Sequence, residues 1–231
     1  MFKTRSLQPE RIDTAHYTPE EYQRFLREIA FINRYFGDRN ALRKTLFREI
    51  EKADLKEFSV LDVGSGSGEL LRTIAEFGRE TCRMSSLTGL DLNEISARTT
   101  FTMSSDFPEI AALRGNAFTL PFPDNAFDYA ISSLFFHHLT DEQIVAVLTE
   151  MTRVSRRGIY VIDLHRHPIA YFLYKLFCFA FRISPLVRHD GSLSIRKGFR
   201  RNELLVFAPA AEVRRVFPFR LVLSKKKKAD S

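Results

Sequence analysis

The segment Val60-Leu61-Asp62-Val63-Gly64-Ser65-Gly66-Ser67-Gly68-Glu69-Leu70 sets three glycines at alternate positions directly after a short β-branched run. Gly64, Gly66 and Gly68 allow a backbone to approach a ligand that a Cβ would exclude. Ser65 adds a hydroxyl within the turn, and Asp62 a carboxylate just ahead of it. A dinucleotide fingerprint would need its third glycine at position 69, which is Glu69, and a carboxylate there repels a pyrophosphate. The turn suits a ligand with a positive end; a tight strand-to-helix turn without any ligand is the plain alternative. A second acid, Asp91, ends Leu87-Thr88-Gly89-Leu90-Asp91 and is followed by Leu92 and Asn93. A carboxylate at the end of a second strand can accept both hydroxyls of a ribose, although Asp91 or Asn93 would equally serve as a helix cap.

The elements that position these groups follow from periodicity. Thr18-Pro19-Glu20-Glu21 opens a helix with Phe25, Ile29 and Ile32 at helical spacing, and Leu42, Leu46 and Ile50 share a face of a second helix after Gly37. The first 50 residues thus read as helical. Strands are expected at Ser59–Val63, Leu87–Leu92, Ile110–Arg114, Phe127–Leu134 and Gly158–Leu164, alternating with helices at Glu69–Phe77, Asn93–Ser104 and Asp141–Val154. A further helix near Arg201–Phe207 and two closing strands broken at Pro218 complete the chain. The alternation predicts an α/β fold with a mostly parallel sheet and helices on both faces.

Gly115-Asn116-Ala117-Phe118, followed by Leu120 to Leu139 (LPFPDNAFDYAISSLFFHHL), is by itself a loop leading into a strand and a second turn. In order with the first two motifs it completes a pattern, from about Val60 to Leu164, that resembles the class I S-adenosylmethionine-dependent methyltransferases. The resemblance implies a Rossmann-like seven-stranded sheet with a reversed final hairpin. It implies S-adenosylmethionine as the ligand with the positive end, held by Asp62, Gly64, Ser65, Gly66, Gly68, Asp91 and Leu92. Asn116 and Ala117 fall at the adenine and Leu134 near the methionine moiety. Many relatives carry Asp where this chain has Asn116, whose amide can still hydrogen-bond the adenine amino group. The Leu120 to Leu139 stretch is most similar to a small-molecule branch that includes ubiquinone and menaquinone biosynthesis methyltransferases. Pro9-Glu10-Arg11-Ile12-Asp13, Ile32-Asn33-Arg34 and Arg188 to Arg196 resemble a bacterial subgroup associated with phenolic lipids, in which Arg34 helps to close the cofactor site.

The expected reaction is methyl transfer to the hydroxyl of a lipophilic phenolic or quinone-like molecule, with C-methylation of a similar ring as the nearest alternative. A phenol of pKa near about 10 benefits from a neutral imidazole near about 6.5. His138 and His189 are the first candidates for this base, with His137 and His165 behind them; each also suits a packing or capping role. Asp190 would orient His189 or form a turn with Gly191.

Residues 1–152 hold 17 Lys and Arg against 23 Asp and Glu, whereas residues 153–228 hold 18 against 4. The net charge of +7 therefore belongs to the C-terminal third and points to an anionic partner. Nucleic acid is disfavoured, because amino-methylating relatives place Asn/Asp-Pro-Pro-aromatic where this chain has Ser132-Ser133-Leu134-Phe135. Ile169 to Ile183 is an apolar helical insertion after the fifth strand, suited to a substrate lid, an oligomer contact or an anionic membrane surface, and too short and charged to span a bilayer. One domain over residues 1–224 is expected, with a helical N-terminal cap in 1–55, a lid in 165–200 and a basic tail in 225–231. Cys82 and Cys178 have no companion ligand at metal spacing, so neither metal nor disulfide is expected. No secretory signal is expected either, and a cytoplasmic location, peripheral to the membrane, fits these features.

Overall fold

A computed structural model describes residues 2–14 and 17–227, apart from the side chain of Arg34. Residues 2–10 run without regular structure into a 3₁₀ turn at Arg11–Thr14. Helix α1 (Pro19–Phe36) begins with a capping box: Thr18 Oγ1 accepts the Glu21 amide, and Glu21 returns a carboxylate oxygen to the Thr18 amide. It stops at Gly37, whose φ of +102° favours glycine. A continuous helical stretch follows as α2 (Asp38–Leu42), a π turn (Arg43–Phe47) and α3 (Arg48–Lys52). Then come β1 (Glu57–Val63), α4 (Glu69–Glu80), β2 (Met84–Asp91), α5 (Glu94–Met103), β3 (Ile110–Arg114) and β4 (Phe127–Ser133). A 3₁₀ turn (Phe136–His138) leads to α6 (Asp141–Val154), β5 (Ser155–Leu164), α7 (Pro168–Ala180), α8 (Pro185–Lys197), α9 (Arg201–Phe207), β6 (Glu212–Val216) and β7 (Arg220–Lys226).

The seven strands form one sheet in the order β3-β2-β1-β4-β5-β7-β6, with only β7 antiparallel to its neighbours; the seven-stranded, mostly parallel sheet with a reversed final hairpin is the one the resemblance implied. Alternation along the strands sorts the core to two faces. Leu61 and Val63 join Ala130, Val161 and the α6 residues Ile144, Val147 and Met151 on one side. Val60, Tyr129, Ile131 and Ile162 meet Leu42, Leu46, Ile50 and the α4 residues Leu71 and Ile74 on the other. Full burial of each aliphatic side chain contributes about 1.5–3 kcal/mol, so these faces dominate the stability. A third, smaller cluster joins Ile32 of α1 to Ala170, Tyr174 and Cys178 of α7 and to Val187 and Ile195 of α8. This cluster roofs one end of the sheet.

Two expectations are corrected. Residues 2–10 are not helical: their backbone is held from outside, for instance by Ser6 N–H donating to Arg196 O. The region around His189 and Gly191 is not a loop with an Asp-Gly turn but the interior of α8. Gly191 serves close packing there. A Cβ on it would lie 2.0 Å from the Tyr174 hydroxyl, which donates to Val187 O at 2.7 Å. Short-range rules read this glycine as a breaker because the partner that needs the space lies on another helix.

Gly191→Ala should therefore destabilise the fold by about 1–3 kcal/mol, although alanine is the better helix former. Chemical denaturation would measure this; a stability equal to or above that of the parent would contradict the packing role.

Candidate active site

β1 pairs in parallel with both β2 and β4, so the connections from these strands leave in opposite directions and a crevice opens at their carboxyl ends. The glycine turn lies there. Gly64, Gly66 and Gly68 have φ of +77°, +56° and +72°. A Cβ on Gly64 would strike Phe135 and one on Gly68 would strike Thr100, whereas a Cβ on Gly66 would meet no protein atom within 4 Å. The first and third glycines close the turn, and the middle one leaves room beside a cavity of about 1260 Å³. Asp91 ties the turn to β2: one carboxylate oxygen accepts the Gly66 amide at 2.9 Å and the other the Asn93 amide at 2.8 Å. Asn93, not Asp91, caps α5 by accepting from the Ile95 amide.

The electrostatics of this end are unbalanced. Asp62 is buried with Oδ1 unpartnered, and burial, reinforced by the charge of Asp91, pushes it up to about 7. Burial also raises Asp91 against its two backbone hydrogen bonds. The Ser65 and Ser133 hydroxyls are buried without partners. A site with an orphaned carboxylate and spare acceptor capacity fits a ligand carrying an ammonium and vicinal hydroxyls. Leu92 stands exposed at the cavity rim, Ala117 is buried in the wall, and Leu134 takes a φ of +53° where the chain turns at the end of β4. Asn116 Oδ1 accepts the Phe118 amide at 2.9 Å, so its NH₂ is the group offered to the cavity, a donor for a ring nitrogen more than an acceptor for an amino group. Tyr17 accepts from Asn93 Nδ2 at 2.9 Å and adds a further wall that sequence reasoning missed. The side chain of Arg34, expected to help close the site, lies outside the described residues.

The other end of the same cavity holds the histidines. His138 Nδ1 lies 2.8 Å from Asp13 Oδ1, which fixes Nδ1 as the protonated nitrogen and leaves Nε2 as the basic one. Burial would lower the His138 pKa, but the Asp13 hydrogen bond and the charges of Glu10 and Asp13 raise it overall. Burial of Asp13 is likewise outweighed by His138 and Lys197, which bring it down to about 2. His137 is buried with Nδ1 2.8 Å from Asp163, and Nε2 is 3.8 Å from Glu10 Oε1. His165 also lines the cavity; burial and the nearby Arg215 bring its pKa down to about 4, so it is neutral at pH 7. His189 does not line the cavity. Its position on α8 turns it outward, with its side chain 51% exposed, and it contacts Asp190 at 2.8 Å.

Asp13, Glu10 and Lys197 are the residues of this end that the sequence reading did not single out for chemistry. Lys197 Nζ lies 3.3 Å from Glu10 Oε1 and 3.4 Å from Asp13 Oδ2. Glu10, His137 and His138 bring three ligand-type atoms within 4.8 Å of one another, and the Lys197 ammonium supplies a fixed positive charge beside them. These residues meet because fully buried Asp190 accepts the Arg11 and Ile12 amides at 3.1 and 3.0 Å, while Ser194 donates to Glu10. The signal lay in the Pro9 to Asp13 and Arg188 to Arg196 segments, each visible in the sequence but not as a pair. Between the two ends lies an apolar chamber walled by Phe25, Ile29 and Phe36 of α1, Ala170 and Tyr174 of α7, and Ile195 of α8.

Residues 60–158 match the model of a family described as a methyltransferase domain. A demethylmenaquinone methyltransferase of Bacillus licheniformis is 30% identical over 126 residues, which is 54% of this chain and 52% of that protein. The chain thus matches about half the length of this curated relative. Among solved structures, a SAM-dependent methyltransferase from Aquifex aeolicus superimposes with a TM-score of 0.56 at 16% identity, covering 91% of this chain and 98% of that one. The magnesium protoporphyrin IX methyltransferase of Synechocystis PCC 6803 with bound SAH gives 0.58 at 12% identity, covering 83% and 84%. The resemblance to class I methyltransferases read from the sequence is borne out by the family match and by the fold.

Asp190→Ala would leave two part-buried backbone donors without their acceptor and should cost about 1–3 kcal/mol. For a domain of this size that is roughly 2–12 °C in Tm by thermal unfolding. Cleavage within residues 2–14 under limited proteolysis should accelerate, and an unchanged rate would show that the segment is held by other means.

Proposed function

We propose that this chain, folded as a class I methyltransferase, transfers a methyl group from S-adenosylmethionine to the hydroxyl of a lipophilic phenolic or quinone-like small molecule. The observation that carries the reading is one continuous cavity, which runs from the glycine turn and Asp62, past Leu134 and Phe135, to His138 and the apolar chamber. Its volume exceeds the roughly 300–1,000 Å³ of an ordinary one-ligand pocket, consistent with a nucleoside and an acceptor side by side.

When bound, S-adenosylmethionine supplies a methyl carbon made electrophilic by a sulfonium. Asp62 would hold the ammonium, Asp91 the ribose hydroxyls, and Asn116 and Ala117 the adenine. His138 Nε2 would take the acceptor's hydroxyl proton, with Asp13 holding the ring and stabilising the imidazolium that forms. Phe135 and Leu134 keep water from the transfer path, and the α1 and α7 side chains enclose the apolar body of the acceptor. Similarity to demethylmenaquinone methyltransferases supports a quinone-type ring. It also keeps a second reading, methylation of a ring carbon, since deprotonation by the same histidine raises electron density on carbon as well as oxygen. The reading implies a site of action at the inner face of a membrane. Among the described residues no helix is long and apolar enough to cross one.

The test is methyl incorporation from labelled S-adenosylmethionine into long-chain phenols and hydroquinones, with RNA and DNA as controls and the methylated atom assigned by NMR. His138→Ala should lower kcat by roughly 10²- to 10⁴-fold, with S-adenosylhomocysteine affinity nearly unchanged. Full activity in that variant would remove His138 from the role, and labelling of nucleic acid alone would overturn the substrate class. Because its pKa is raised, His138 is deprotonated only above the ordinary imidazole range, so kcat/KM should climb with pH past about 6.5. Asp13→Asn should shift that limb to lower pH.

The cofactor half has its own readout. Asp62, raised to about 7, is largely protonated at pH 6 in the free protein, and an ammonium ligand should bring it back down. Binding of S-adenosylhomocysteine at pH 6 should therefore release part of a proton, measured by calorimetry in buffers of different ionisation enthalpy. Asp62→Asn should abolish the release, and equal release in both proteins would reject this contact.

A further inference from the structure

We propose that the outward face of α7 is a membrane-surface helix that seats the protein on an anionic bilayer. This goes beyond the reaction assigned above and stands without it. Ile169, Phe172, Leu173, Leu176 and Phe179 are 54%, 67%, 46%, 63% and 76% exposed. Their spacing places them on one side of the helix, while Ala170, Tyr174 and Cys178 are buried on the other against α1 and α8. Single exposed apolar residues are ordinary, but five on one helix face form a contiguous patch of the kind that marks an interaction surface. Phe181 and Tyr35, both more than half exposed and stacked at 6.5 Å, continue the patch onto α1.

The charge beside this patch identifies its occupant. No Asp or Glu occurs between Asp163 and Asp190, whereas Lys175, Arg182 and Arg188 are exposed there, and none of the three has a carboxylate within ion-pair distance among the described residues. An apolar face flanked by exposed cations that no carboxylate neutralises matches hydrocarbon beneath a layer of anionic headgroups. At 1.5 Å per residue, α7 is about 20 Å long against a hydrocarbon core of about 30 Å, so it lies in the interface and does not span. Its inner residues Ala170 and Tyr174 line the apolar chamber, so one helix would separate bilayer from cavity.

Vesicle flotation of the full chain tests this, using phosphatidylcholine vesicles with and without phosphatidylglycerol. The protein should float with the anionic vesicles roughly 10- to 100-fold more strongly, and added salt should weaken the binding. The double substitution Phe172→Asp and Leu176→Asp should abolish flotation at an unchanged thermal midpoint. Lys175→Glu with Arg182→Glu should remove the preference for anionic lipid. Failure of the parent protein to float with anionic vesicles at low salt would overturn the proposal. So would a lipid-free dimer, seen by analytical ultracentrifugation, that the aspartate pair converts to monomer, because the face would then be covered by a second copy. Flotation requires neither cofactor nor acceptor, so its outcome is separate from that of the methyl-transfer assay.

Discussion

The parallel pairing of β1 with both β2 and β4 is the constraint from which the site follows. Connections that leave a central strand on opposite sides cannot cover its carboxyl end, and the chain uses that opening twice. On the β2 side the ends of β1 and β2 carry buried Asp62 and half-buried Asp91, and among the described residues no cationic side chain relieves the desolvation of Asp62 or its repulsion by Asp91. On the β4 side the chain leaves through Leu134 and delivers His137 and His138 to the same cavity. The first half is poised for a cationic ligand, and the second carries the histidine proposed to accept a proton. The sheet sets how they face each other.

The histidine end is assembled by buried charged groups, not by the sheet alone. Asp163 at the end of β5 holds His137; burial would raise its pKa, but the charge and hydrogen bond of His137 lower it overall. Arg166, fully buried, donates to Phe2 O, Lys3 O and Glu203, so the first described residues are pinned against β5 and α9. Asp190 pins Arg11 and Ile12 in turn. Buried charges are costly unless paired and hydrogen-bonded, so a network of this kind fixes one arrangement of the N-terminal segment over the cavity. That arrangement puts Asp13 beside His138.

The third cluster explains why a lid-like region is also an exposed apolar one. α7 uses Ala170 and Tyr174 to roof the chamber and Cys178 to pack beside them, and Gly191 in α8 makes the space for Tyr174. Its other face has no intramolecular partner among the described residues, because α1 and α8 both pack from the inner side. Under the proposed seating on a bilayer, a helix with its other face in the chamber wall would offer a greasy acceptor a route into the chamber that avoids solvent.

Most of the fold was legible in the sequence, because it rests on local patterns. The period-2 strands, the capping box at Thr18, the alternating glycines after Val63 and the acid at Asp91 are all short-range signals that physical rules read directly. Where the sequence reading failed, the deciding contact was distant. Gly191 looked like a turn residue until Tyr174 was seen filling its missing side chain. His189 looked as good a base as His138, with an acid next to it, but the helix turns it out of the cavity. Asp13 and His138 are 125 residues apart, and no periodicity links them. The sequence by itself determined a parallel α/β sheet with a glycine turn and two acids at its carboxyl edge, since backbone geometry and side-chain alternation are local properties. Only the tertiary structure decided which histidines line the cavity beside an acid and which face of the apolar helix is left uncovered, since both depend on how separate segments pack.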